Sequence, residues 1–382
     1  MNYRLAALLP LSALSISIAN AQPADSTEAL RAEVEALRAR LDAMDESAES
    51  ESRLDFSGDL RYRHESISDD AATTDRHRHR IRARFNLEAE LSDDVSVGMT
   101  LATGASNPVS ANQTLGGGFS RKDFGVDRAY FAWRINDELT MRGGKMGLPV
   151  FRPGGYHLIF DSDLNPEGLF LGYDGDRVFA NIGGFWVQER GSEDDAILYA
   201  LQGGFRHMIG DGPELTIGGS YYDYRNTQGY QPFYLGNPEG NSVDGSGNLL
   251  YDYNIAEVFA QVEFEVGGQP LRVFADYVDN READQNGKGQ AIGIRWRSAS
   301  NPGDWEIGWA YEDLEADAVI ATFTDSDFIG GGTDGKGTVM TGAYRLRENV
   351  RLNGTYFLND VGGATRTRRD YQRLQLDVTF MF

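Results

Sequence analysis

From Tyr371 to Phe382 the side chains alternate in kind with a period of two. Gln372, Leu374, Leu376, Val378, Phe380 and Phe382 form one set, and Arg373, Gln375, Asp377, Thr379 and Met381 form the other. Such alternation marks a strand with one apolar and one wet face. The pattern is cleaner at 77–91, where Ile81, Ala83, Phe85, Leu87, Ala89 and Leu91 oppose Arg80, Arg82, Arg84, Asn86, Glu88 and Glu90. At 53–65, Leu54, Phe56, Leu60 and Tyr62 face away from Asp55, Asp59, Arg61, Arg63 and Glu65. A strand that is apolar on one face and charged along the other suits hydrocarbon on one side and water on the other. For 371–382 taken alone, the terminal strand of a secreted β-sandwich is the alternative.

Read the same way, the chain predicts sixteen strands, at 53–65, 77–91, 95–103, 125–135, 138–146, 168–173, 177–189, 196–208, 214–225, 254–266, 270–279, 289–298, 304–315, 337–347, 349–359 and 370–382. Connections after even-numbered strands are short, as at Ser92-Asp93-Asp94, Asn136-Asp137 and Gly267-Gly268-Gln269. Those after odd-numbered strands are mostly long and rich in Gly, Asn, Asp and Ser, as at 104–124, 147–167, 226–253 and 316–336. Alternating turns and loops with an even strand count predict an all-β fold, an antiparallel up-and-down transmembrane barrel. Aromatics gather toward strand ends on the apolar face, as at Phe131 and Trp133, Trp305, Trp309 and Tyr311, and Phe380 and Phe382. That placement matches girdles at a lipid boundary.

Two segments precede the strands. Residues 1–21 read as a signal peptide, with Arg4, an apolar stretch from Leu5 to Ile18 and the small-residue site Ala19-Asn20-Ala21. Residues 22–52 read as a short helix, Asp25 to Asp45, followed by an acidic linker. Thr27, Leu30, Val34, Leu37, Leu41 and Met44 fall three and four apart, the spacing of a coiled-coil seam. A single amphipathic helix lying on its own domain is the other reading. Residues 53–382 form the barrel domain.

The chain has 382 residues, 45 glycines, no cysteine and a net charge of −22. Without cysteine there is neither a disulfide framework nor a thiolate metal site. The mean hydropathy of −0.44 and the lack of a long apolar run after residue 21 exclude a transmembrane helix but not a barrel, whose alternation averages to a polar sequence. The acidic balance argues against nucleic acid, whose phosphates it would repel.

Several motifs resemble the putative porins of Gram-negative outer membranes. They are Phe56-Ser57-Gly58-Asp59-Leu60-Arg61-Tyr62-Arg63, Arg80-Ile81-Arg82-Ala83-Arg84, Asp127-Arg128-Ala129-Tyr130, Gly143-Gly144-Lys145 and Phe160 to Leu169, which contains Asp163-Leu164-Asn165-Pro166-Glu167-Gly168. The similarity spans nearly all of the chain after the leader. It implies a sixteen-stranded pore, a homotrimer and a place in the outer membrane. Such proteins often carry Pro and an aromatic after the glycine-lysine, whereas here Lys145 is followed by Met146-Gly147-Leu148-Pro149-Val150.

The expected function is passive diffusion of small hydrophilic solutes and ions through a water-filled channel. The loop 147–167 is the expected constriction, with Asp161, Asp163 and Glu167 facing a basic wall of Arg61, Arg63, Arg80, Arg82, Arg84, Arg128 and Arg373. Arginines opposite carboxylates would set a transverse field that orients charged solutes. The bland alternative is a salt-bridged wall that touches no solute. Expected partners are outer-membrane lipid and lipopolysaccharide, with peptidoglycan a candidate contact of the N-terminal helix. An adhesin or structural protein anchored to the cell wall through that helix is the alternative function.

No catalytic residue, cofactor or metal is expected. The histidines are His64, His77, His79, His157 and His207, and His77 and His79 share a strand face without an evident third ligand. Gly330 to Gly335 fits a Gly-x-Gly-x-x-Gly pattern, but Gly337 stands where a P-loop needs Ser or Thr and no helix pattern follows.

Overall fold

The computed structural model describes residues 32–40, 53–104 and 106–382. Residues 32–40 are helical and exposed along their length. The leader 1–21, the rest of the expected helix and the linker 46–52 lie outside the described residues.

From Leu54 onward the chain is a closed antiparallel sheet of sixteen long strands. The first quarter is β1 Leu54–Asp69, β2 Arg76–Glu90, β3 Val95–Thr103 and β4 Phe124–Arg134. β5 Leu139–Lys145, β6 Glu167–Asp174, β7 Val178–Gln188 and β8 Ala196–Met208 follow. Next come β9 Glu214–Arg225, β10 Tyr253–Val266, β11 Gln269–Asn280 and β12 Lys288–Arg297. β13 Trp305–Leu314, β14 Gly335–Arg347, β15 Val350–Val361 and β16 Arg369–Met381 complete the ring. A further strand of two residues, Gln113–Thr114, folds back onto β2. Each strand pairs with its sequence neighbours, and β1 pairs with β16 from Asp59↔Met381 to Asp69↔Tyr371, which leaves no open edge.

The alternation dictates which side faces in, and the result is the reverse of a soluble protein. Large apolar side chains are exposed around the outside, with Leu60 at 45% and Phe380 at 45%. Charged and polar side chains are buried within, with Glu65 at 0% and Arg373 at 2%. Trp133, Trp309, Tyr344 and Phe382 are among the exposed aromatics. In water this arrangement would forfeit the hydrophobic driving force, whereas in lipid the apolar band is covered and the polar groups meet inside.

Closure depends on the last residue. Phe382 exchanges both backbone hydrogen bonds with Gly58, at 2.9 and 3.1 Å, and its ring lies 5.9 Å from those of Phe56 and Phe85. Only glycine fits opposite it, because a Cβ on Gly58 would stand 2.4 Å from the Arg84 carbonyl oxygen. Phe382→Ala should therefore weaken the seam, since each lost aromatic contact carries about 0.5–1.5 kcal/mol beyond its area. The check is the temperature at which the folded gel band converts to the unfolded one, expected to fall below wild type.

Candidate functional site: an eyelet beside an arginine wall

The wall is built by register. β1 and β2 pair so that Asp59 lies opposite Arg84, Arg61 opposite Arg82, Arg63 opposite Arg80 and Glu65 opposite Arg78, all on the inner face. β16 adds Arg373, Gln375 and Asp377 beside them. Directly opposed like charges destabilise a sheet, and here neighbouring carboxylates offset them. Asp59 accepts from Arg82 and Arg84, each at 2.8 Å. Asp377 takes a two-pronged bond from Arg63 at 2.7 and 2.8 Å. Glu65 is the hub, bonded to Arg78, 2.7 Å from Arg373, 3.5 Å from Arg80 and 3.6 Å from Arg63. The wall is thus an ion-paired lattice rather than a purely basic face.

Two loops from the long-loop end enter the lumen. The first, 146–166, turns inward through the short 3-10 segment Pro153–Gly155. Gly154 adopts φ 64° and a Cβ there would sit 2.2 Å from the Phe274 ring, so the turn requires glycine. Gln202 accepts from Phe151 N at 2.7 Å and donates to its carbonyl at 3.0 Å, while Gln261 accepts from Gly154 N at 2.7 Å. Tyr156 donates to Glu312 at 2.8 Å. Behind these latches Leu158, Ile159 and Phe160 pack into an apolar cluster with Tyr222 and Tyr224, filling that side of the lumen.

The second inward loop, 315–334, was not expected from the sequence. Ala316 to Ala321 and Phe328 and Ile329 are buried. The loop locks onto the first one, with Asp161 N donating to the Phe323 carbonyl at 2.8 Å and Ser326 N donating to Asp161 Oδ2 at 3.0 Å. Together they present carboxylates to the wall. Asp163 lies 3.7 Å from both Arg82 and Arg84, and Asp327 lies 3.0 Å from Arg63 and 2.7 Å from Arg373. Between loops and wall remains a cavity of about 240 Å³, lined among others by Arg61, Arg63, Arg82, Asp163, Asp325 and Asp327.

The expected residues divide unevenly. Arg61, Arg63, Arg80, Arg82, Arg84 and Arg373 lie together on the inner wall, and Asp161 and Asp163 on the loop beside it. Arg128 also points inward, but it braces the loop base by donating to Asn165 at 2.8 Å. Glu167 does not join them. It is the first residue of β6, in the outward set with exposed Leu169, and pairs with Lys145 at 2.9 Å on the outer surface. Asp59, Glu65 and Asp377 stand on the wet faces in the sequence pattern without being assigned to the site, and Arg78 joins them by strand parity. Asp325 and Asp327 were missed outright, although the apolar run Ala318-Val319-Ile320-Ala321 signals a loop that seeks burial.

Burial, then the charge of Asp325, pushes the Asp161 carboxyl well up, and burial followed by the charge of Asp327 raises Asp325 to about 6. Asp327 is held low, Arg373 and Arg63 outweighing its burial. Burial, with Arg152 and Arg295 beside it, pushes His157 down to about 3, so this histidine stays neutral in the loop. Outside the lumen, His64 stands opposite His79 with ring centres 4.9 Å apart, and His77 stacks 6.5 Å from His64. Among the described residues no three donors converge to hold a metal.

A family model described as putative porin matches residues 68–243 and 242–382. The chain belongs to that porin family. Among solved structures, the porin resembles the high-pH structure of OprB from Pseudomonas putida at 13% identity and a TM-score of 0.59, covering 87% of this chain and 95% of that one. It also resembles a triple mutant of the Rhodopseudomonas blastica porin at 11% identity and a TM-score of 0.52, covering 86% and 100%. At such identities the likeness concerns the fold. Among curated proteins none matches this porin significantly. Family and fold make it an outer-membrane channel protein.

Proposed function

We propose that this porin passes small hydrophilic solutes and ions by passive diffusion, and that solutes are sorted at the eyelet between the two inward loops and the arginine wall. The observation that carries this reading is the cavity of about 240 Å³ lined by the guanidinium groups of Arg61, Arg63 and Arg82 and by the carboxylates of Asp163, Asp325 and Asp327. Opposed charges across a low-dielectric constriction make a transverse field that selects by charge and dipole. Export would use the leader 1–21, and assembly as a homotrimer is supported by the exposed apolar side chains of Val34 and Leu37 on helix 32–40. Lipopolysaccharide and lipid would cover the outer band.

Single-channel recording in planar bilayers tests the reading. Arg82→Gln with Arg84→Gln removes two charges from the wall and should move the zero-current potential in a salt gradient toward cation preference. An unchanged potential would contradict sorting at this wall. The eyelet should also respond to pH. Above about 6 Asp325 ionises and adds negative charge, so the cation-to-anion ratio should rise across that interval and fall on acidification. Asp325→Asn should flatten the step.

A further inference from the structure

The inner face of β2 carries arginine at every second position, Arg76, Arg78, Arg80, Arg82 and Arg84, about 7 Å apart along the strand. This stair descends from a wide vestibule to the eyelet. The vestibule is a cavity of about 960 Å³ between the barrel wall and loops 226–252, 315–334 and 362–368, and it holds Arg76, Arg78, Arg366, Arg369 and Arg373. Resting on the channel reading above, we propose that this vestibule and stair bind small phosphate- or carboxylate-bearing anions and hand them to the eyelet, so that the preferred solutes are polyanions.

Three observations converge. First, within the ion-paired lattice of the wall the guanidinium groups outnumber the carboxylates. Seven arginines on the wall share Asp59, Glu65, Asp163, Asp327 and Asp377, and each of these acids is already engaged by at least two arginines. Second, two of these five vestibule arginines, Arg76 and Arg366, are not paired with a protein carboxylate among the described residues. Among the described residues Arg76 makes no ion pair, and the Arg366 side chain donates only to backbone carbonyls, those of Glu239 and of Gly331 at 3.0 Å. Of the other three, Arg369 pairs with Asp69 at 2.8 Å, Arg78 with Glu65, and Arg373 with Glu65 and Asp327, each at 2.7 Å. Third, the Nε–H groups of Arg61, Arg80 and Arg373 are buried and meet no acceptor on the described residues. A buried donor without a partner is costly, and anionic oxygens moving down the stair would satisfy it. Planar guanidinium forks suit phosphate and carboxylate groups better than a halide. The net charge of −22 makes this stripe a local exception rather than a general basicity.

Tripolyphosphate is a suitable probe. Added to the long-loop side of wild-type channels in potassium chloride, it should block the current in a concentration-dependent way, while an uncharged trisaccharide of similar size at the same concentration should not. Arg76→Gln with Arg366→Gln should raise the half-blocking concentration at least about tenfold, the size expected when charge-assisted hydrogen bonds to one ligand are lost. Arg76→Gln alone, at a residue that holds no element together, should move it in the same direction if the double variant folds poorly by gel mobility. Conducting channels that are not blocked, that are blocked equally by the trisaccharide, or that keep wild-type block in both variants would overturn the anion assignment. Folded protein that conducts nothing would instead overturn the channel reading beneath it.

Discussion

Glu65→Ala should be the most destabilising single substitution in the wall. The side chain is 0% exposed and touches Arg63, Arg78, Arg80 and Arg373, with Gln375 Nε2 donating at 3.3 Å. Those arginines come from three strands, and two of these strands form the closing seam of the barrel. Desolvated guanidinium groups that lose their common counter-charge repel one another, and breaking a buried ion pair from one side costs about 3–5 kcal/mol. Glu65→Gln keeps an acceptor for Arg373 but not the charge, so it should fall between wild type and alanine. Urea unfolding in detergent micelles, followed by tryptophan fluorescence, gives the order. If the alanine variant unfolds at the wild-type midpoint, the lattice does not hold the seam.

The same substitution separates two roles of the wall. Removing a negative charge from among the arginines should strengthen anion preference in channels that still fold, while the stability falls. A wall that served only as scaffold would lose stability with no change in the zero-current potential. The two measurements on one variant therefore distinguish a structural lattice from a lattice that also sets the field.

How far the sequence revealed this depends on where lipid imposes a pattern. Within the apolar band, alternation locates strands to within a few residues, as at Ala196–Met208 and Glu214–Arg225. Above the band the outer face turns polar, and the signal vanishes while the strand continues. β1 was expected to stop near 65 but runs to Asp69, because His64, Ser66 and Ser68 occupy outward positions where the apolar band has ended. Glu167 failed for a related reason. It was read as the end of a loop, but it is the first residue of a strand, and strand parity turns it outward. The arginine stair was legible because a strand spaces it. The partner carboxylates of loop 315–334 were not, because no period governs an irregular loop and its inward fold rests on contacts distant in sequence, such as Asn241 Nδ2 donating to the Ala316 and Val319 carbonyls, each at 2.8 Å.

Removing that second inward loop should change conduction more than any point substitution. β13 and β14 are already paired to their ends, Leu314 opposite Gly335, so the hairpin can be closed by a short turn without moving the barrel. Replacing 317–332 with Asn-Gly keeps Asp334, whose carboxylate caps the backbone N–H groups of Thr365 and Arg366 at 2.8 Å each and so holds loop 362–368. The deletion takes out Val319, Ile320, Phe328 and Ile329 from the lumen together with Asp325 and Asp327, leaving loop 146–166 latched by Gln202, Gln261 and Glu312. With one plug gone, conductance should rise at least about two-fold, since pore width governs ion flow through a water-filled channel. Selectivity should move the other way from the Arg82 and Arg84 variants, toward anions, because Arg63 and Arg373 lose the carboxylate that Asp327 provides. A deletion variant with wild-type conductance would show that loop 315–334 narrows nothing. One with higher conductance but unchanged selectivity would show that Asp327 takes no part in the field.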